Sequence, residues 1–329
     1  MLVVQFVFII PDIIYVLENT GFDPSWRYFL NVVNGTDLKF GRDIYFTYGP
    51  LGYLFYLMKL PGNTLEYWSG IVIWGIIFLF HLWMLLQLYR LYQKGKIHFW
   101  AITASVCCYL AGYYAPTRDN YLLYLMILAV VLWAKGAKNI VLIPNLLLLL
   151  MFFGKFSTFT SGFAFCILFC IFDVLFRKNW KSIWLFLPGI ILMPVCYLVY
   201  CPSIKNLFEY VAGILKISSG WMLTMQFDSV LQPSEVRWLI ILIACYVLLI
   251  IGNLWSNYKS SAAIIASCAS MFFLYKYATT RHGLKVGIWL FAMLFSATIL
   301  SIDWNVLFQK IGQRAKAVRK NQIIYYVCG

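Results

Sequence analysis

Apolar residues in this chain come in long runs separated by short polar breaks. The runs lie near 2–17, 68–91, 98–115, 120–135, 140–154, 158–176, 182–201, 236–254, 260–277 and 284–300. A membrane-crossing helix needs about 20 mostly apolar residues. The pattern therefore predicts an all-α fold, a polytopic transmembrane helix bundle of about 10 spans. Residues 1–329 read as a single membrane domain, because no polar stretch is long enough to build a second core. Two longer polar segments interrupt the pattern, 18–67 and 202–235, and both read as loops. Run 2–17 is short for a span and has no basic residue before it, and Ile323–Val327 opens an apolar run that stops. The chain thus reads as truncated at one or both ends.

Composition fits this picture. Hydrophobic residues make up 63% and charged residues 12%, where a soluble domain carries about 25% charged residues. The net charge of +14 raises a nucleic-acid partner. That class is excluded because the basic residues are scattered over short loops, without a basic helix or basic-aromatic interleaving. Arg90, Lys94 and Lys96 mark one exit, Lys135 and Lys138 another, then Arg177, Lys178 and Lys181, then Lys259, then Lys310, Arg314, Lys316, Arg319 and Lys320. These are alternate exits, so they share one side, and short basic loops mark the cytoplasm. Both termini are then cytoplasmic and segment 18–67 is extracytoplasmic. The localisation is the plasma membrane, the inner membrane of a bacterium. The nine cysteines show neither CxxC nor Cys/His spacing, so no structural disulfide and no zinc site is expected.

Segment 18–67 is where the carboxylates gather. Glu18, Asp23, Asp37, Asp43 and Glu66 are five of the 12 acidic residues. Asp23-Pro24 has the form of a helix start, with Asp as N-cap and Pro in the first turn. Trp26, Leu30 and Val33 follow at helical spacing, so an amphipathic helix lying on the membrane surface is expected. Asn34-Gly35 ends it and, with Thr36, forms an N-glycosylation sequon. Gly49-Pro50 then makes a turn before the apolar stretch Leu51–Leu60, which can re-enter the membrane edge.

Asp23, Gly41-Arg42-Asp43 and Tyr48-Gly49-Pro50-Leu51-Gly52 together resemble a family signature. It is that of the C-type (GT-C) polytopic membrane glycosyltransferases, such as protein mannosyltransferases and aminoarabinose transferases. Gly49-Pro50 stands where that family usually has Pro-Pro. The segment is more similar still to a group of bacterial membrane proteins sharing the run DPSW…LN…FGRDI.FTYGPLG. The resemblance implies an enzyme with a polyprenyl-phosphate-linked sugar as donor and a glycan, lipid or protein as acceptor. It implies Asp23 as the catalytic base and Asp43 as a second catalytic carboxylate.

The chemistry also calls for cations at the leaving phosphate. Arg118 in PTRDN, Lys155 in GKFSTFTSG, and Lys276 with Arg281 and His282 in YKYATTRHG are the candidates, and Arg42 is a further substrate-binding candidate beside Asp43. Ionisable residues at membrane depth are functional candidates, although snorkelling to the headgroups accounts for them equally well. Tyr48 and Trp221 are candidates for contacting the sugar, with the interfacial aromatic belt as the structural alternative for Trp221. No cofactor is assigned, and Asp43 is the position where a divalent cation would bind. Two readings from other classes stay open: a transporter or flippase of a lipid-linked sugar, and a non-catalytic subunit of an envelope polysaccharide assembly.

Overall fold

The structure, a computed structural model, describes residues 22–111, 118–201, 203–224, 233–281 and 283–314. Among these residues the only β-type pairings are two isolated bridges, Phe40 with Ile44 and Tyr48 with Lys155. The helices are α1 (Phe22–Val32), α2 (Thr64–Gln93), α3 (Phe99–Ala111), α4 (Arg118–Ala134), α5 (Leu142–Gly154) and α6 (Phe156–Arg177). They continue with α7 (Leu187–Tyr200), α8 (Ile204–Thr224), α9 (Pro233–Asn257), α10 (Ala262–Arg281), α11 (Gly283–Thr298) and α12 (Trp304–Arg314).

Among the described residues, each apolar run from 68 to 300 is mostly helical. Among the same residues, four helical stretches are long and apolar enough to cross a membrane: Thr64–Gln93, Phe156–Arg177, Trp180–Tyr200 and Val236–Trp255. A fifth results if Phe291–Ser301 and Trp304–Arg314, which meet at a 76° bend, count as one span. Helices α3, α4, α5 and the first part of α10 are shorter apolar helices of 10–17 residues. A count near ten would require these shorter helices to be spans too. The run at 2–17 lies outside the described residues.

Helix α2 shows why the chain needs a bilayer. Leu65, Trp68, Val72, Ile76, Leu79, Trp83 and Leu86 form an exposed stripe at three- and four-residue spacing. At 1.5 Å per residue this apolar face runs about 32 Å, close to the thickness of a hydrocarbon core, about 30 Å. The opposite face, with Gly70, Trp74, Ile77, His81 and Met84, is buried against protein. On that face His81 Nδ1 is 2.6 Å from Tyr121 Oη of α4. Polar side chains turned inward from lipid are the pattern of helix packing in membranes.

Helix α4 is the centre of the bundle. Every residue from Tyr121 to Leu132 is buried, as expected of a helix that is apolar all round. It packs against α2, α5, α6, α10 and α11. Around it α6 lies along α10, α10 along α11, and α11 along α3.

One expected loop is a helix. Segment 202–235 contains α8 over 21 residues. Leu207, Tyr210 and Ile214 are buried on one side, while Lys205, Phe208, Leu215 and Lys216 are exposed. Apolar positions at helical spacing carry it despite the polar residues between them.

Candidate functional site

The first segment folds into a plug held by asparagines. Asn31, on α1, is buried; its Nδ2 donates to the carbonyls of Arg27 at 2.9 Å and Tyr56 at 2.8 Å. Its Oδ1 accepts the Met58 amide at 3.0 Å. Asn63 Nδ2 donates to Met58 O at 2.9 Å, and Asn34 Nδ2 donates to Pro50 O at 3.0 Å. Buried non-helical backbone needs its polar groups satisfied inside the protein. Side chains of Asn31, Asn34 and Asn63 do this for Pro50 O, Tyr56 O, Met58 N–H, Met58 O and Leu60 N–H. Gly52, Tyr53, Leu54, Phe55, Leu57 and Met58 are buried accordingly.

The motif Thr47-Tyr48-Gly49-Pro50-Leu51 docks on a one-residue break between α5 and α6. Lys155 occupies that break in extended conformation, φ −143° and ψ 110°. A helix end leaves carbonyls or amides without intrahelical partners. Here Gly49 N–H donates to Gly154 O at 3.1 Å and Leu51 N–H donates to Phe153 O at 2.8 Å. Phe156 N–H, at the start of α6, donates to Thr47 O at 3.0 Å. The glycines are fixed by close approach. A Cβ on Gly49 would lie 2.5 Å from Phe153 O, and one on Gly154 would lie 2.3 Å from the Phe55 ring.

Over this junction sits an aromatic and cationic cluster. Trp26 stacks on Tyr48 with centroids 5.0 Å apart, and Tyr56 meets Trp26 edge-on at 4.7 Å. Tyr48 and Tyr56 hydroxyls are 3.2 Å apart. The Lys155 ammonium lies 5.3 Å from the Tyr48 ring centroid, and the Arg27 guanidinium lies 4.8 Å from that of Tyr56. Arg118 Nη1 donates to Phe55 O at 3.0 Å. Lys155 is only 4% exposed. Three cations from α1, α4 and the α5–α6 break thus converge on residues 48–56.

Arg42 and Asp43 lie elsewhere on the segment. Arg42 Nη2 donates to Asp43 Oδ2 at 2.7 Å, and its Nε is 3.0 and 2.9 Å from the two carboxylate oxygens. Asp43 Oδ2 also accepts the Lys39 amide at 2.9 Å. The Arg42 guanidinium and then that amide hold the carboxyl below the usual carboxylate range. Asp43 therefore closes the 39–44 turn, and a cation there would have to displace Arg42. The turn is anchored by Gly41, at φ +86°, where a Cβ would lie 2.3 Å from both Asn206 O and Tyr197 Oη. Tyr197 Oη donates to Phe40 O.

Of the residues read from sequence, Tyr48, Lys155 and Arg118 meet at one place. Arg42 and Asp43 pair with each other. Asp23, Trp221, Lys276 and Arg281 have helical backbone in α1, α8 and α10, but their side chains lie outside the described residues, as does His282 entirely. The helix of Asp23 includes both Asp23 and Pro24 instead of starting after the aspartate. Trp26, Arg27, Asn31 and Tyr56 are cluster members that the sequence reading did not select. Arg27 and Asn31 were visible as polar positions beside Trp26 and Leu30 on the amphipathic helix, whereas nothing local marked Tyr56.

Comparison with family models, curated proteins and solved structures finds no match to this chain.

Proposed function

We propose that the protein is a glycosyltransferase that moves a sugar from a polyprenyl-phosphate donor to a glycan, lipid or protein acceptor. The observation that carries this reading is the convergence of Arg27, Arg118 and Lys155 on the aromatic cluster of Trp26, Tyr48 and Tyr56. Cations held in a water-poor site are the groups that stabilise a departing phosphate. Aromatic faces beside them suit a sugar ring. Asp43, already committed to Arg42, closes its turn and takes no part in proton transfer.

Asp23 is the base in this reading. Position 23 precedes 26 and 27 by three and four residues in the same helix, and such positions share a helical face. The acceptor hydroxyl oxygen attacks the anomeric carbon, and its proton passes to the Asp23 carboxylate. The bond from the anomeric carbon to the phosphate oxygen breaks. The polyprenyl phosphate leaves with the electron pair, its charge met by Lys155, Arg118 and Arg27. A carboxylate base must lie within hydrogen-bond reach of the hydroxyl, which a site beside α1 allows.

The reaction face is extracytoplasmic in this reading. Helix α2 starts at the plug and ends at the basic loop of Lys94 and Lys96 after 30 residues, a distance of about 45 Å. The positive-inside rule then assigns the basic end to the cytoplasm and the plug to the opposite face of the plasma membrane.

The test compares Asp23→Asn, Lys155→Met and Asp43→Asn in the native host, at matched membrane levels. Envelope glycans are read by mass spectrometry against wild type and a deletion. Asp23→Asn and Lys155→Met should both reproduce the glycan loss of the deletion, and Asp43→Asn should not. Wild-type glycans from Asp23→Asn would sink the transferase reading.

A further inference from the structure

A second site lies at the other end of the bundle. The chain segments that follow α2, α4, α6, α9 and α11 meet there around a cavity of about 310 Å³. Lys96, Lys135, Arg177 and Lys259 line it, with Asp303 as the single lining acid among the described residues. We propose that this cavity binds a phosphate group, with Lys96, Lys135, Arg177 and Lys259 as its cationic ligands.

The charges in the cavity are not balanced from within. Arg177 pairs with buried Asp173 at 3.1 Å. Asp303 accepts a hydrogen bond from Asn257 Nδ2 at 3.1 Å. Lys135 Nζ donates only to a neutral acceptor, Ile302 O, at 3.2 Å. Lys96 and Lys259 have neither an ion pair nor a hydrogen bond from their side chains among the described residues. Desolvation lowers the Lys135 pKa to about 8, opposed by Asp303 and reinforced by Arg177. A bound anion is what would offset that penalty.

Helix C-termini alone do not account for the arrangement. One cation beside each C-terminus satisfies the macrodipole, and it can do so from the solvent side. Here Lys96 instead lies across the end of α4, where a Cβ on Gly136 would be 2.7 Å from its Nζ. Gly95, Ala262, Ala263 and Ser301 leave the space open. The volume is at the lower bound of ligand cavities, about 300 Å³, which suits a headgroup-sized anion.

Phosphate at this end of a membrane protein has two sources, a phospholipid headgroup and a soluble phosphate. A neighbouring cavity of about 720 Å³ shares Ala134 and Arg177 and adds Trp133, Trp184, Lys138 and Lys181. Tryptophans beside lysines are the lining of the headgroup level, and basic pockets between helices at the cytoplasmic side hold anionic headgroups. The continuity favours the lipid.

The experiment uses the purified full chain and Lys96→Gln/Lys259→Gln, both positions being exposed. Native mass spectrometry measures retention of phosphatidylglycerol against phosphatidylcholine. Thermal melting is measured with inorganic phosphate against chloride at equal ionic strength. Wild type should retain phosphatidylglycerol preferentially, and the double variant should lose roughly 10- to 30-fold in retention. A phosphate-specific melting shift that vanishes in the variant supports the site with a soluble ligand. Absence of both effects, or equal effects in wild type and variant, overturns the proposal. Lys259→Gln alone, with an intermediate loss expected, serves if the double variant does not fold.

Discussion

The Lys155 ammonium lies 5.3 Å from the centre of the Tyr48 ring, and the same two residues pair backbone to backbone. One contact therefore joins the loop motif to the helix break and sets a cation on an aromatic face. The loop could not shift without exposing the ends of α5 and α6, whose carbonyls and amide it satisfies. Rigidity and charge placement have a common origin here.

Truncation of Tyr48 should be costly. Its side chain is 5% exposed and packs on Trp26, Phe46, Phe55 and Tyr56. Tyr48→Ala should destabilise by about 3–5 kcal/mol, as for other buried aromatics. Thermal melting in detergent, followed by size-exclusion fluorescence, measures the loss. Tyr48→Phe keeps the stack and loses the bond to the Tyr56 hydroxyl, so it should cost about 1 kcal/mol, well short of the alanine variant.

Gly49→Ala should separate the loop from the α5–α6 break. The added methyl meets Phe153 O at 2.5 Å and Tyr210 Oη at 2.7 Å. Overpacking of this kind costs about 1–3 kcal/mol. Hydrogen exchange at the Gly49-Pro50-Leu51 segment should speed up, with α4 unchanged; equal exchange in both proteins would contradict the packing.

Two buried tyrosines should respond in opposite ways to loss of the hydroxyl. Tyr197 Oη donates to Phe40 O, whereas Tyr210 Oη has no hydrogen-bond partner among the described residues. Tyr197→Phe should cost about 1 kcal/mol, while Tyr210→Phe should be neutral or stabilising. Paired melting curves decide it.

Lys135 should titrate early. With its pKa lowered to about 8 by burial, the amine is neutral at pH values where an ordinary lysine, at about 10.4, is still charged. Because the folded form releases its proton first, Lys135 favours folding more as pH rises from about 8 toward about 10. Amine acylation mapped by peptide mass spectrometry should reach half its maximum near pH 8 at Lys135. A midpoint near the ordinary lysine value of about 10.4 would refute the shift. Bound phosphatidylglycerol should raise the midpoint.

The hydropathy pattern alone determined that this is a helical membrane protein, and where most of the described apolar helices lie. Apolar length is a local property, so one sequence carries it. It could not say which face of α2 meets protein and which meets lipid, because both faces are apolar. Helix α8 was missed because its apolar stripe alternates with Lys205, Asn206, Glu209 and Lys216. The chemistry at 41–52 was legible as a motif, yet its parts have different jobs. Arg42 and Asp43 neutralise each other, while Tyr48 joins Lys155, 107 positions away in the chain (155 − 48). Charge pairing and aromatic stacking act over a few ångströms, and sequence distance does not encode them. Only tertiary packing brings α1, α4 and the α5–α6 break together at one end, and Lys96, Lys135, Arg177 and Lys259 together at the other.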